Sequence, residues 1–171
     1  MRHPFRFNSA KSIEAILYIA QHVKQPTFHR ISKIMYFADK QHLEKYGRFL
    51  CGDYYVAMKH GPVPSSTYDL LKAARNGTAN LTNKAFIVVE QFLVKPLQSA
   101  QLDYFSESDL ECLDDAIAQY GHLSFSQLTQ LSHDQAWHTT DENDYISIEQ
   151  IVSTLASPEI LLDYLQNLCP E

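Results

Sequence analysis

The chain has 171 residues, 45% of them hydrophobic, with 14 Lys and Arg against 20 Asp and Glu. That length suits one domain with a sizeable core, and no apolar run approaches the roughly 18 residues of a membrane span. Cys51, Cys112 and Cys169 are far apart without a CxxC pair, and Met1-Arg2-His3-Pro4 leads to polar Asn8-Ser9 without a signal-peptide core; a disulfide framework, a zinc site and secretion are all disfavoured, and a cytoplasmic protein is expected.

Asn8 or Ser9 caps a first helix in which Ile13, Ile16, Leu17, Ala20 and Val23 recur at helical spacing. Pro26 closes the connection, and Thr27 caps a second helix. Ile31, Met35, Ala38, His42 and Tyr46 share one stripe of it, together with Asp39. A buried carboxylate needs donors, so Asp39 is expected to tie this helix to the turn that follows. On the opposite face Arg30, Lys33, Lys40 and Glu44 surround one apolar residue, Phe37. Gly47 ends the helix as a left-handed cap.

Tyr54–Met58 reads as a short strand. Gly61-Pro62-Val63-Pro64 is expected to lie outside strand and helix interiors, because two prolines remove donors and fix φ. Ser65 or Ser66 caps a third helix that stops at Asn76-Gly77. Ala85–Val89 and Phe92–Lys95 flank Glu90-Gln91 as a β-hairpin, ended by Pro96. Three capping boxes follow: Ser106 with Asp109, Ser124 with Gln127, and Ser147 with Gln150. The first opens a helix carrying Leu110, Leu113, Ile117 and Tyr120 that Gly121 terminates. Ser157-Pro158 begins a last helix with Ile160, Leu161, Tyr164 and Leu168. The expected fold is mainly α: a single helical domain over residues 1–171, with about seven helices and a small β-element of one short strand (54–59) plus a hairpin (85–95).

Charge is divided unevenly. All 14 Lys and Arg fall in residues 1–100 with six acids, a balance of +8; residues 101–171 hold the other 14 acids and no Lys or Arg, a balance of −14. Either the two ends attract each other within the fold or the asymmetry serves a partner.

Candidate chemistry is sparse. His133 and His138, five apart, point about 140° from each other on a helix, unlike an i, i+4 zinc pair, although with Asp134 and Asp141 they can meet on an irregular loop. Cys51 with His60 or His42 carries no nucleophile signature. An anion at the Ser65/Ser66 helix start, near Lys59 and Arg48, would miss the amides that Pro62 and Pro64 lack. Three helices and a hairpin in a basic half have the order of a winged helix. Its third helix offers only Lys72 and Arg75, with Asp69 near its start, so nucleic-acid binding by this chain alone is disfavoured. A hydrolase using the His133/His138 loop is the distant alternative from another class; no enzyme activity, metal or cofactor is expected.

Three blocks carry a resemblance: KIMYFADKQHLEKYGR, GDYYVAMKHGPVPSSTYDLLKAA and FSESDLECLDDAIAQYGHLSFSQLTQLSHDQAW. In this order, across roughly Ser9 to Trp137, the chain resembles the Panacea domain family of SocA-like and GepA-like antitoxin and phage-associated proteins. The resemblance implies the antitoxin of a toxin–antitoxin system, neutralising a cognate protein toxin by direct contact; an adaptor that delivers a toxin to a protease is the alternative. It covers the bare domain, without the DNA-binding module some relatives add. Phe37, Lys40, Lys59, His60 and Val63 are the candidate partner contacts, since GPVP presents its neighbours on a stiff backbone and Phe37 needs a cover. That cover is either the toxin or the acidic half. Asp39, His42, Gly61, Pro62, Pro64 and Trp137 are read as the structural motif around them.

Overall fold

Residues 1–78 and 85–168 are described by a computed structural model; Cys169 lies outside them. Among the described residues the order is α1 (Ser9–His22), α2 (Phe28–Tyr46), β1 (Tyr55–Met58), β2 (Gly61–Pro64), α3 (Ser65–Asn76), β3 (Phe86–Val89), β4 (Leu93–Pro96), a 3-10 turn (Leu102–Tyr104), α4 (Glu107–Tyr120), α5 (Phe125–Ser132), α6 (Gln135–His138), β5 (Tyr145–Ile146), α7 (Ile148–Val152) and α8 (Pro158–Leu168). The fold is mainly α. Its β-part is larger than one strand and a hairpin, because β2, β1 and β5 form a three-stranded antiparallel sheet beside the β3–β4 hairpin.

The side chains of Asn8, Thr27, Ser106, Ser124 and Ser147 cap α1, α2, α4, α5 and α7, the last three as complete capping boxes. Gly47 takes the left-handed conformation at the end of α2. The hairpin turns without glycine through three residues, Glu90, Gln91 and Phe92, with Glu90 and Gln91 at positive φ of 50° and 69°.

Three readings need correction. Gly61-Pro62-Val63-Pro64 is a strand, with Val56 opposite Val63 and Met58 opposite Gly61. Ala57 turns its N–H and C=O toward Asp144 and Asn143, on the β5 side, so the alternate residues Val56 and Met58 face β2. Pro62 and Pro64 therefore occupy the outward positions of an edge strand, where a missing N–H costs no ladder bond and blunts pairing with other chains. Second, neither Ser65 nor Ser66 caps α3. Pro64 holds the cap position without a side-chain bond, and Asp53 reaches across from the preceding loop to accept from Ser66 N (3.0 Å), Thr67 N (2.7 Å) and Thr67 Oγ1 (2.7 Å). Gly121 does end α4, in a right-handed conformation. A Cβ there would stand 3.1 Å from Val23 Cγ1, so its contribution is close approach to the chain after α1. Third, α6 is an additional helix of one turn, capped by Asp134.

α2 runs through the middle. One apolar cluster packs it against α1, α3, α4 and the hairpin through Ile16, Ile31, Ile34, Leu71, Phe86 and Leu113. A second packs its other side against β1, α6, α7 and α8 through Tyr36, Leu43, Tyr55, Ile148 and Leu165. The basic and acidic parts of the sequence meet across these contacts: Lys11 and Arg48 pair with Asp109, Lys40 with Asp134, Lys45 with Glu111, and the N-terminal amine with Glu149.

Asp53→Ala strands three buried or half-buried donors at the start of α3. The expected loss is about 2–3 kcal/mol in urea unfolding; a loss below about 0.5 kcal/mol would show that water replaces the carboxylate.

Candidate functional site

Two groups of polar side chains are buried along α2, and they differ in how fully they are answered. Asp39 accepts from Leu50 N and Tyr55 Oη, both at 2.6 Å. It thus ties α2 to the loop and to β1, not to β2. Burial raises its carboxyl to about 7 against the lowering effect of those two bonds. His42 places Nδ1 3.0 Å from Arg48 O and Nε2 3.0 Å from Ser108 Oγ. Burial alone would raise Asp109, but hydrogen bonds from His42, Lys11 and Ser106 N outweigh it and hold the acid well below the carboxylate range. Its Oδ1 faces Arg48 Nη2 at 3.0 Å and His42 Nε2 at 3.3 Å as charge contacts without well-directed hydrogen bonds. This group is closed, with Asp109 Oδ1 left to charge contacts alone; it holds loop, strand and α4 to α2.

The second group opens to a cleft of about 480 Å³, walled by the first turns of α2, the β1–β2 turn, α3, the hairpin tip and the start of α5. Lys33 lies at its base with 1% exposure. Its Nζ donates to Pro62 O at 2.7 Å, using the outward carbonyl that an edge strand leaves over. Burial lowers this amine to about 7. His29 stacks on Phe125, ring centroids 3.9 Å apart, with Nε2 2.9 Å from Thr129 Oγ1. Burial, then the neighbouring Lys33, His60 and Arg30, lower His29 to about 3. Gly61 is obligatory: its φ is +106°, and a Cβ would collide with Ser132 Oγ and come within 3.0 Å of Lys33 Cε.

The walls are aromatic. Phe92 and Phe125 are 54% and 51% exposed, and Phe28 and Tyr68 line the floor. Phe92 is held in place by its backbone, because Phe28 N donates to Phe92 O (2.9 Å) and Val94 N to Pro26 O (3.0 Å), which staples the hairpin to the start of α2. Arg75 lies over both Phe28 and Phe92.

Of the candidate partner contacts, Lys59, His60 and Val63 line this cleft, with Lys59 and His60 exposed at its rim. Phe37 and Lys40 are elsewhere. Phe37 stacks face to face on Tyr120, centroids 3.9 Å apart, and Lys40 Nζ binds Asp134 at 2.7 Å. Lys33, expected on an outward face with them, is instead buried, because β2 and α5 cover that side of α2. Gly61, Pro62 and Pro64 form the strand beside Lys33. Trp137 donates from Nε1 to Met58 O at 2.9 Å and stacks on His133, centroids 3.7 Å apart. Asp134 is occupied by Tyr36, Lys40 and Trp137 N. Among the described residues no group of three or more His, Cys, Asp or Glu is placed to hold a metal. Cys51 is buried, and burial pushes its thiol well up. On α3, Lys72 pairs with Asp69.

Sequence reasoning missed His29, Lys33, Phe92 and Phe125 as one constellation. The available signal was the hairpin tip Glu90-Gln91-Phe92, an aromatic placed directly after a strained turn, but nothing local connects it to α2.

Residues 31–138 match the family model described as "Antitoxin SocA-like, Panacea domain". The match spans more than half of the chain, and the protein belongs to this antitoxin-like family. No curated protein and no solved structure matches the chain. Among the described residues no helix is long and apolar enough to cross a membrane.

Two predictions separate the groups. Asp39→Ala leaves Leu50 N and Tyr55 Oη without an acceptor and should cost about 2–4 kcal/mol in chemical unfolding, whereas Asp39→Asn, which keeps the shape, should cost less. An unchanged melting temperature with lost activity would move Asp39 to the functional side. For Lys33 the sign is opposite to that of a salt-bridged lysine. The folded amine releases its proton near pH 7, the unfolded one near its ordinary 10.5. Between those values the unfolded chain binds more protons, so stability rises with pH, by on the order of 1 kcal/mol per pH unit. Urea unfolding of wild type and Lys33→Met should show this rise in wild type only; parallel curves would mean that Lys33 is hydrated.

Proposed function

We propose that this protein is the antitoxin of a toxin–antitoxin pair and neutralises its toxin by direct protein–protein binding, acting by contact and not by catalysis. The observation that carries the reading is the family match over residues 31–138, which covers most of α2, the proline strand and the cleft residues from Ser32 to Phe125. The geometry supports it in kind. The closed polar group and the prolines give a stiff frame, and a stiff frame lowers the ordering cost of association. Lys59, His60, Phe92 and Phe125 stand exposed around a concave centre, the arrangement of aromatic anchor pockets in protein interfaces. We place the toxin contact there and not on Phe37. Buried thiols at Cys51 and Cys112 suit the cytoplasm, where we locate the protein.

The test is co-expression with the product of the adjacent open reading frame. That product should arrest growth alone, lose its toxicity beside this protein, and co-purify with it at fixed stoichiometry. His60→Glu and Phe125→Ala, both at exposed positions, should leave the melting temperature within about 2 °C and weaken the complex at least tenfold. A neighbour that is harmless alone, or a rescue that disappears in cells lacking cytoplasmic proteases, would overturn neutralisation by binding; the second outcome would make the protein an adaptor.

A further inference from the structure

Basic nitrogens converge on the cleft, and no carboxylate answers them there. Elsewhere the basic side chains that meet the acidic end of the chain find acids: Lys11, Lys40, Lys45 and Arg48 each contact one. Lys33 is different. It is among the largest fully buried side chains, and its one hydrogen-bond partner among the described residues is a neutral carbonyl, Pro62 O. No Asp or Glu lines the cleft, while His29, Lys59 and His60 do. An ammonium carries three donors, so two remain on Lys33 for a ligand. A charge-assisted bond in a water-poor cleft is among the strong polar contacts available to a protein.

We propose that this cleft receives an acidic side chain of the protein partner, its carboxylate on the Lys33 ammonium and an adjoining apolar side chain against Phe92 and Phe125. The inference deepens the antitoxin reading and rests on it for the nature of the partner. Charge decides for a carboxylate. One buried cation balances one negative charge, and burial disfavours a second positive charge on His29. A doubly charged phosphate at that depth would bring one charge more than Lys33 matches, since Lys59 stands exposed at the rim. Size decides for an extended segment: a cleft of about 480 Å³ takes one or two side chains, whereas a helix is about 10–12 Å across. The occupant also resolves a cost internal to the fold, because a carboxylate supplies the counter-charge that Lys33 lacks.

The test is an NMR titration of the intact protein with the peptide N-acetyl-Phe-Glu-Leu-amide, its Gln counterpart, and phenylacetate. The Glu peptide should shift the resonances of His29, Lys33 and His60 and bind about tenfold tighter than the Gln peptide. Lys33→Met and His60→Glu should each abolish that preference. His60 is exposed, so the second variant keeps the result interpretable if the first does not fold. Equal affinity for the two peptides, shifts confined to other surfaces, no binding at about 10 mM, or a preference that survives both variants would each overturn the inference. Phenylacetate bound as tightly as the peptide would reassign the cleft to a small organic acid and overturn the docking role. A lost Glu preference with neutralisation intact removes this inference alone. A clear Glu preference with no neutralised neighbour removes the antitoxin reading alone.

Discussion

The structure depends on one constraint: α2 is covered on nearly every side, and several of its covered residues are polar. Ser32, Lys33, Asp39 and His42 are all buried, and a buried polar group without a partner costs more than a hydrogen bond returns. Three of them draw a different piece of chain against the helix. Ser32 turns back on Phe28 O within α2, Lys33 takes the outward carbonyl of β2, Asp39 collects the loop at Leu50 and the strand at Tyr55, and His42 reaches the start of α4. The apolar clusters supply most of the driving force through buried area. The polar contacts select which packing of those surfaces is allowed.

Charge asymmetry is resolved within the chain. Exposed pairs such as Lys45–Glu111 contribute little singly. Asp109 contributes differently, since it is buried, caps α4 at Ser106 N, and meets groups from α1, α2 and the loop after α2. One acid at a helix N-terminus thereby brings three basic groups onto the acidic end, with the helix dipole acting in the same direction. The cleft is where this matching stops.

What was legible in the sequence follows from range. Capping boxes, the left-handed Gly47, helical stripes and the hairpin are written within four residues of themselves, so they could be read directly. Most of the errors involve a partner distant in sequence. A proline pair reads as a strand breaker until Ala57 is known to bond the β5 side, which turns both prolines outward. Asp53 caps a helix twelve residues on, so the serines beside that helix looked sufficient. Lys33 looked exposed because periodicity marks the apolar face of a helix, not the faces that later strands and helices will cover. The cover of Phe37 was left between a toxin and the acidic half, and Tyr120 of α4, in that half, supplies it. The rim residues Lys59 and His60 were identified from the stiffness of GPVP, which is local; their aromatic neighbours Phe92 and Phe125 come from elements about 30 and 65 residues away, beyond any window of pattern reading.

The closed group around Asp39 and Asp109 and the open group around Lys33 are two outcomes of the same problem on one helix. Where a donor set surrounds the buried group, the local structure is rigid. Where the last partner is missing, the fold holds a cation at a cost in stability, and natural proteins keep such costs where function uses them. Several features keep Lys33 in that state. Gly61 lets the strand approach the amine, and the two prolines stop the edge from sliding. The hairpin staple meanwhile holds Phe92 over the same space. None of these would be needed to bury a lysine that served packing alone, since a methionine of similar length fills such a volume without the penalty. The frame keeps the cation unanswered, and a partner that brings the matching charge gains both the contact and the relief of that cost.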